Sequence, residues 1–163
     1  MTMQKTPLLM HRLMDRGAML QPDVEVMTAT ADGARSQTML ETRNRAHQLA
    51  HALHDAGVEI GDRIATFMWN GARHLEAYHA IACMGAVVHT LNMRLSPVDL
   101  EYIINHAQDR VIIVDADILP LLEKLAGKMP SVEKIVVAAE PGFENWSTSL
   151  PNAVDYEEFI KNK

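Results

Sequence analysis

The sequence has a single cysteine, Cys83, among its 163 residues, so no disulfide can close within the chain and a reducing compartment is the expected setting. It also lacks a basic field. Lys and Arg number 15 against 21 Asp and Glu, which leaves a net charge of -6 at pH 7. A general nucleic-acid binder or a binder of anionic membranes needs the opposite balance, so neither partner is expected. No apolar stretch approaches the ~20 residues of a membrane span. The opening run MTMQKTPLLMHRLMDRG is cut by His11, Arg12, Asp15 and Arg16, which argues against a signal peptide. Phosphate-cradling loops of the G-x-G-x-x-G or G-x-x-x-x-G-K-[ST] type are missing, and no Ser/His/Asp or Cys/His set has a workable spacing. No catalytic residue and no metal ligand is therefore assigned. What is present, 48% hydrophobic and 22% charged residues, is the composition of one folded acidic domain, expected in the cytoplasm.

Hydrophobic spacing divides the chain into three stretches. Residues 1–60 read as a helix, a hairpin and a second helix. Met10, Leu13, Met14 and Gly17 recur at helical spacing over Pro7 to Leu20. VEVMTAT and ARSQTML flank Asp32-Gly33, a dipeptide suited to the positive φ angles of a tight hairpin turn. Thr38 and Glu41 form a capping box for a helix running to Gly57, with Ala46, Leu49, Ala50 and Leu53 as its buried stripe. Residues 61–140 alternate short apolar strands (RIATFMW, AVVHTL, VIIV, KIVVAA) with helices at Gly71 to Met84, at Pro97 to Ala107 and around Ile118, Leu121, Leu122 and Leu125. Strands this apolar are covered on both faces, so the fold class is α/β with a mostly parallel sheet between helices. Residues 141–163 read as a loop, GFENWSTSLPNAV, and a short helix, DYEEFIKNK.

The segment HTLNMRLSP carries the one candidate site. Ser96 suits an N-cap, Pro97 the first helical position and Asp99 the first turn, while Leu95 and Leu100 stand at the positions of a hydrophobic staple. Asn92 and Arg94 are not needed for that. They lie where a strand leaves the sheet, and ligands of open α/β sheets gather beyond the strands' carboxyl ends. Arg94 precedes a helix N-terminus, where a guanidinium can hold a phosphate; equally, it can pair with Asp99 or Glu101. His47, His51 and His54 share one helix side, but no Glu or Cys completes a zinc pattern. His79 and His89 are expected as hydrogen-bonded core or cleft residues. Asp115, or Asp117, is expected to cap the helix that follows VIIVD, there being no acidic pair after FMWNG to make a magnesium site with it.

The stretch from Gln37 to Asp115 resembles the adenylate-forming acyl-CoA synthetases, in particular the medium- and long-chain fatty-acid CoA ligases. The matching pieces are the Thr-capped helix ending in LHDAGV, GDRIA, Asn70 before a helix, AIACMGAVV, LNMRLSPVDLEYI and VIIVD. The likeness runs from about Thr6 to Asp115 and continues weakly to the end. It implies the N-terminal part of the large AMP-binding domain of a two-step ligase. In that reaction a carboxylate and ATP, with Mg2+, give an acyl-adenylate, and the thiol of coenzyme A then displaces AMP. Fatty acids are the implied substrates, the rest of a ligase chain the implied partner, and a homodimer a further expectation from the family and the Met-rich first helix. The family's phosphate loop ending in Pro-Lys-Gly, its Tyr-Gly-x-Thr-Glu segment, its ribose-binding aspartate and its mobile C-terminal domain have no match among these residues, so the chain is expected to be inactive alone. By the resemblance Arg94 contacts a phosphate of coenzyme A, and Asn92 fixes the turn. Met93 stands where many relatives have proline, which implies a less rigid loop. The alternatives are a non-catalytic binding or dimerisation module of the same fold, and an adenylating enzyme for aryl or amino acids.

Overall fold

A computed structural model describes residues 7, 9–30 and 33–163. The chain runs α1 (Met10–Leu20), β1 (Glu25–Thr30), β2 (Gly33–Thr38), α2 (Met39–Asp55), β3 (Arg63–Phe67), α3 (Ala72–Cys83), β4 (Val87–Thr90), α4 (Pro97–Ala107), β5 (Val111–Asp115), α5 (Leu119–Glu123), β6 (Lys134–Ala138), β7 (Ala153–Asp155) and α6 (Tyr156–Ile160). β1 and β2 pair antiparallel as the expected hairpin, from Glu25 opposite Thr38 to Thr30 opposite Gly33. Asp32 of its turn lies outside the described residues. Gly33 has φ +136°, which a side chain would oppose.

The other strands form one parallel sheet in the order β4-β3-β5-β6-β7, flanked by helices, as the strand-helix alternation predicts. β5 is buried throughout and alternates between two cores. Ile113 joins Leu49, Leu53, Ile81 and Tyr156 on the side of α2, α3 and α6. Ile112 and Val114 join Phe67, Leu100, Ile104, Leu119 and Leu122 on the side of α4 and α5. Period-two alternation within an unbroken apolar run is what a strand covered on both faces requires.

The helix starts follow their sequence signals. Thr38 and Glu41 make the full capping box, Thr38 Oγ1 accepting from Glu41 N at 3.1 Å and Glu41 Oε2 from Thr38 N at 2.7 Å. Ser96 Oγ accepts from Asp99 N at 3.2 Å and donates to Asp99 Oδ2 at 2.7 Å, ahead of Pro97. Leu95 packs beside buried Leu100. Two readings change. In α2 the buried stripe takes Ala52 where Ala50 was expected, and Ala50 is only half-buried. The loop expected from 141 onward contains β7, which pairs Ala153–Asp155 with Ile135–Val137. Three half-buried residues after Pro151-Asn152 carry too little pattern to be read as a strand.

Candidate functional site at the carboxyl end of the sheet

The loop after β4 is a turn held by Asn92. Its carbonyl accepts from Leu95 N at 3.1 Å, and its side-chain Oδ1 accepts from Arg94 N at 3.0 Å. Met93 and Leu95 tuck against the α4 side of the core. Arg94 between them is turned outward and exposed. Neither expected acidic partner reaches it. Asp99 is engaged by Ser96, and Glu101 pairs with Lys128 at 3.4 Å. Among the described residues Arg94 makes no ion pair, so its charge is free for an anion beside the N-terminus of α4.

One strand further in, a cleft of about 460 Å³ opens over the ends of β3, β5 and β6, with the hairpin as its outer wall. The β3–α3 turn, Trp69-Asn70-Gly71, forms its floor. Trp69 N donates to Asp115 Oδ2 at 2.6 Å, and the indole Nε1 donates to Asp117 Oδ2 at 2.8 Å. These contacts overturn the expected capping role. The N-cap position of α5 is Ile118, with no side-chain cap, because both carboxylates are turned across the sheet to Trp69. Burial pushes the Asp115 carboxyl up to about 7; the Trp69 N–H opposes that rise, and Asp117 and Glu140 add to it. His74 bridges the same turn, Nδ1 to Trp69 O at 3.1 Å and Nε2 to Thr66 Oγ1 at 3.0 Å. Burial holds its pKa down, and the carbonyl can only accept. Neutral His74 therefore donates from Nδ1 and accepts the Thr66 hydroxyl proton at Nε2.

Sequence reasoning missed how the hairpin is fastened here. Gly71 at the N-cap of α3 offers no side chain, and Thr28 Oγ1 of β1 accepts from Ala72 N at 2.9 Å instead. A Cβ on Gly71 would stand 3.1 Å from Thr28 Cγ2, so a larger residue here would require the Thr28 side chain to give way by a few tenths of an ångström. It also missed a buried charge cluster. Glu76, fully buried on α3, accepts from Gln37 Nε2 at 2.8 Å, Arg45 Nε at 2.8 Å and Tyr156 Oη at 2.7 Å. Arg45 also grips Glu157 with two nitrogens, and Arg73 bridges Glu157 and Glu140. A second depression of about 570 Å³ is lined by these groups, but its arginines are matched by carboxylates, so it presents no free charge. The signal was Glu76 on the same helical stripe as Ala77, Ala80 and Ile81, a buried carboxylate that demands a cation.

The histidines divide. His89 Nδ1 meets both oxygens of buried Asp109, at 2.9 and 2.8 Å. His79 does not meet its expectation, since its buried Nδ1 has no hydrogen-bond partner among the described residues. His47 and His54 stand beside Asp15 and Asp55 at 3.7 and 3.6 Å. No group of three potential metal ligands gathers among the described residues. No described helix is long and apolar enough to cross a membrane.

Comparison with known proteins agrees with this architecture. The AMP-binding enzyme family matches residues 14–161. The chain is 40% identical over 146 residues to a long-chain-fatty-acid–CoA ligase of Thermus thermophilus, covering 89% of this chain and 27% of that protein. It is 35% identical over 159 residues to a medium-chain-fatty-acid–CoA ligase of Ectopseudomonas oleovorans, covering 97% and 29%. Its fold superposes on an anthranilate CoA ligase solved with anthranoyl-AMP, with TM-score 0.77, 25% identity, and 97% and 28% of the two chains covered. The chain belongs to the AMP-binding enzyme family, and the relatives it matches are acyl-CoA ligases. It spans less than a third of the length of these relatives.

Proposed function

We propose that this chain is the N-terminal portion of an ATP-dependent fatty acyl-CoA ligase, in which a carboxylate is first adenylated and then passed to the thiol of coenzyme A. ATP, Mg2+ and coenzyme A serve the whole ligase, and adenylation supplies the leaving group that the thiol displaces. Residues 1–60, 61–140 and 141–163 contribute the hairpin unit, the sheet and the closing segment of the AMP-binding domain. The observation that carries this reading is the agreement of fold with a family match over residues 14–161. The named relatives favour a fatty acid as the substrate. An aryl acid is the second reading, favoured by the likeness to the anthranilate CoA ligase.

Arg94 is the residue assigned to coenzyme A. Its guanidinium is exposed, lacks an ion partner among the described residues and stands on a turn that Asn92 holds, an arrangement suited to a phosphate oxygen. In a chain extended to the relatives' length, Arg94→Ala is expected to raise the KM for coenzyme A about tenfold, the value of one charge-assisted contact, and to leave adenylation unchanged. Steady-state kinetics of the two half-reactions decide this, and an unaltered KM for coenzyme A removes the assignment. The 163-residue chain by itself is inactive in this reading. Acyl-dependent pyrophosphate release by it would refute that. The parent works in the cytoplasm, and a homodimer through the Met-rich α1 face is part of the same proposal, to be checked by sedimentation.

A further inference from the structure

Seven asparagines occur in the sequence, and one of them, Asn70, is followed by glycine. In any asparagine the side-chain amide carbon can be reached by the next residue's backbone nitrogen, and closure between them gives a succinimide ring. A side chain on the following residue crowds that approach, and glycine has none. The other six asparagines all precede residues that carry a Cβ.

The fold leaves both reacting groups of this pair unengaged. Asn70 is exposed, and its side chain makes no hydrogen bond among the described residues. Gly71 stands at the N-cap of α3 in extended conformation, with φ -160° and ψ 178°. Its carbonyl accepts from Leu75 N at 3.0 Å, while its own N–H, ahead of the helical ladder, has no partner among the described residues. Two asparagines elsewhere are held instead, Asn92 by Arg94 N and Asn105 by the Lys128 carbonyl. We propose that Asn70-Gly71 is a self-modification site, at which the chain converts Asn70 to aspartate and isoaspartate with release of ammonia, the isoaspartate form unfastening the hairpin from α3.

The reaction needs only water. Gly71 N loses its proton to a base, and its electron pair closes a bond to Asn70 Cγ. The Cγ–Nδ2 bond breaks, and Nδ2 takes up a proton and leaves as ammonia. Water then opens the ring. Cleavage between Cγ and Gly71 N gives aspartate, whereas cleavage between the Asn70 carbonyl carbon and Gly71 N leaves the main chain running through Cγ, as isoaspartate. One water is consumed and one ammonia released, with no change of oxidation state.

The two products load the turn differently. Aspartate keeps the main-chain length and places a carboxylate just ahead of α3, where the helix dipole favours it. Isoaspartate lengthens the main chain by one methylene between two anchored points, Trp69 N on Asp115 Oδ2 at 2.6 Å and Ala72 N on Thr28 Oγ1 at 2.9 Å. The bond to a carboxylate is the stronger kind, so the Ala72–Thr28 bond gives way. That bond fastens β1 to α3.

The test follows the 163-residue chain in mildly alkaline buffer by peptide mass mapping and ammonia assay, beside the same chain unfolded in urea. Asn70 is expected to convert before any other asparagine, at a comparable rate in both states, with one ammonia released per chain and slower conversion in acid. Gly71→Ala is expected to slow the reaction in urea, where folding is not at issue, and Asn70→Ser to abolish the ammonia released first. Protection of Asn70 in the native chain, earlier conversion of another asparagine, or an unslowed Gly71→Ala variant overturns the proposal. The aspartate and isoaspartate forms are then separated, and amide hydrogen exchange at Ala72 is expected to be faster in the isoaspartate form alone. Equal protection of Ala72 in both forms overturns the unfastening.

Discussion

The two ends of the parallel sheet treat their charges in opposite ways. At the amino end Arg110 grips Glu133 with two nitrogens, at 3.0 and 2.6 Å, and reaches Asp62 and the Gly57 carbonyl as well. Arg63 donates to the Ala107 and Gly61 carbonyls, and His89 meets Asp109. The Arg110 guanidinium holds the Glu133 carboxyl below its usual range, and Asp62 is held low by the Glu59 N–H together with Arg110. At the carboxyl end Asp115, Asp117 and Arg94 have no ion partner among the described residues, and Asp115 is pushed up to about 7. One end is closed by its own side chains. The other keeps charge available, and that is the end where ligands of parallel α/β sheets bind.

Neutralising the open end breaks the contrast most strongly. The Asp115 pKa in the folded chain lies above its ordinary value of 3.8, so the native state holds a proton that the unfolded chain has released. Stability contributed by this group is then present below about pH 4, falls as pH rises to about 7, and is flat above that. At about 1.4 kcal/mol per pH unit the ceiling on the loss is about 4 kcal/mol. Asp115→Asn keeps an acceptor for Trp69 N and removes the titration. Urea unfolding from pH 4 to 8 is expected to show a flatter stability curve for the variant, which overtakes the native chain at pH 8. Parallel curves would mean that the carboxylate is satisfied after all.

Opening the closed end is the converse experiment. Asp109 is fully buried, and the only side-chain hydrogen bond it receives among the described residues comes from His89. His89→Leu removes that donor from beneath β4 and is expected to cost about 3 kcal/mol, the low end for stranding a buried charge. The low end applies because burial already raises the Asp109 pKa against the pull of His89, so the carboxyl can protonate instead. Denaturant midpoints at pH 7 measure this. A loss below about 1 kcal/mol, the range of an exposed pair, would place the His89–Asp109 contact at the surface energetically.

The helix starts and the sheet core were the more legible parts of the sequence. Apolar runs such as VIIV admit one structural solution when helices alternate with them, and Thr38, Ser96 and Pro97 mark their helices through contacts within four residues. Asn92 was legible for the same local reason, as its side chain reaches only two residues along the chain. The cleft was not. Asp115 and Trp69 are 46 residues apart, and a carboxylate at a strand end has the same local appearance whether it caps a helix or crosses the sheet. Glu76 was hidden likewise, its partners coming from β2, α2 and α6. Side chains whose meaning depends on strand order are readable only once that order is known.

The smallest expected effect sharpens the comparison from within a single turn. Arg94 contributes only its backbone N–H to the fold among the described residues, and alanine retains that group. Arg94→Ala is therefore expected to change stability by less than about 0.5 kcal/mol, the usual range for an exposed side chain without partners. Asn92→Ala, two residues earlier, removes the oxygen that accepts from Arg94 N and is expected to cost about 1 kcal/mol. Thermal unfolding of the two variants side by side separates a residue that builds the turn from one the turn displays. If Arg94→Ala proved as damaging as Asn92→Ala, Arg94 would be holding the fold together like the arginines at the opposite end, and its guanidinium would not be free for a phosphate.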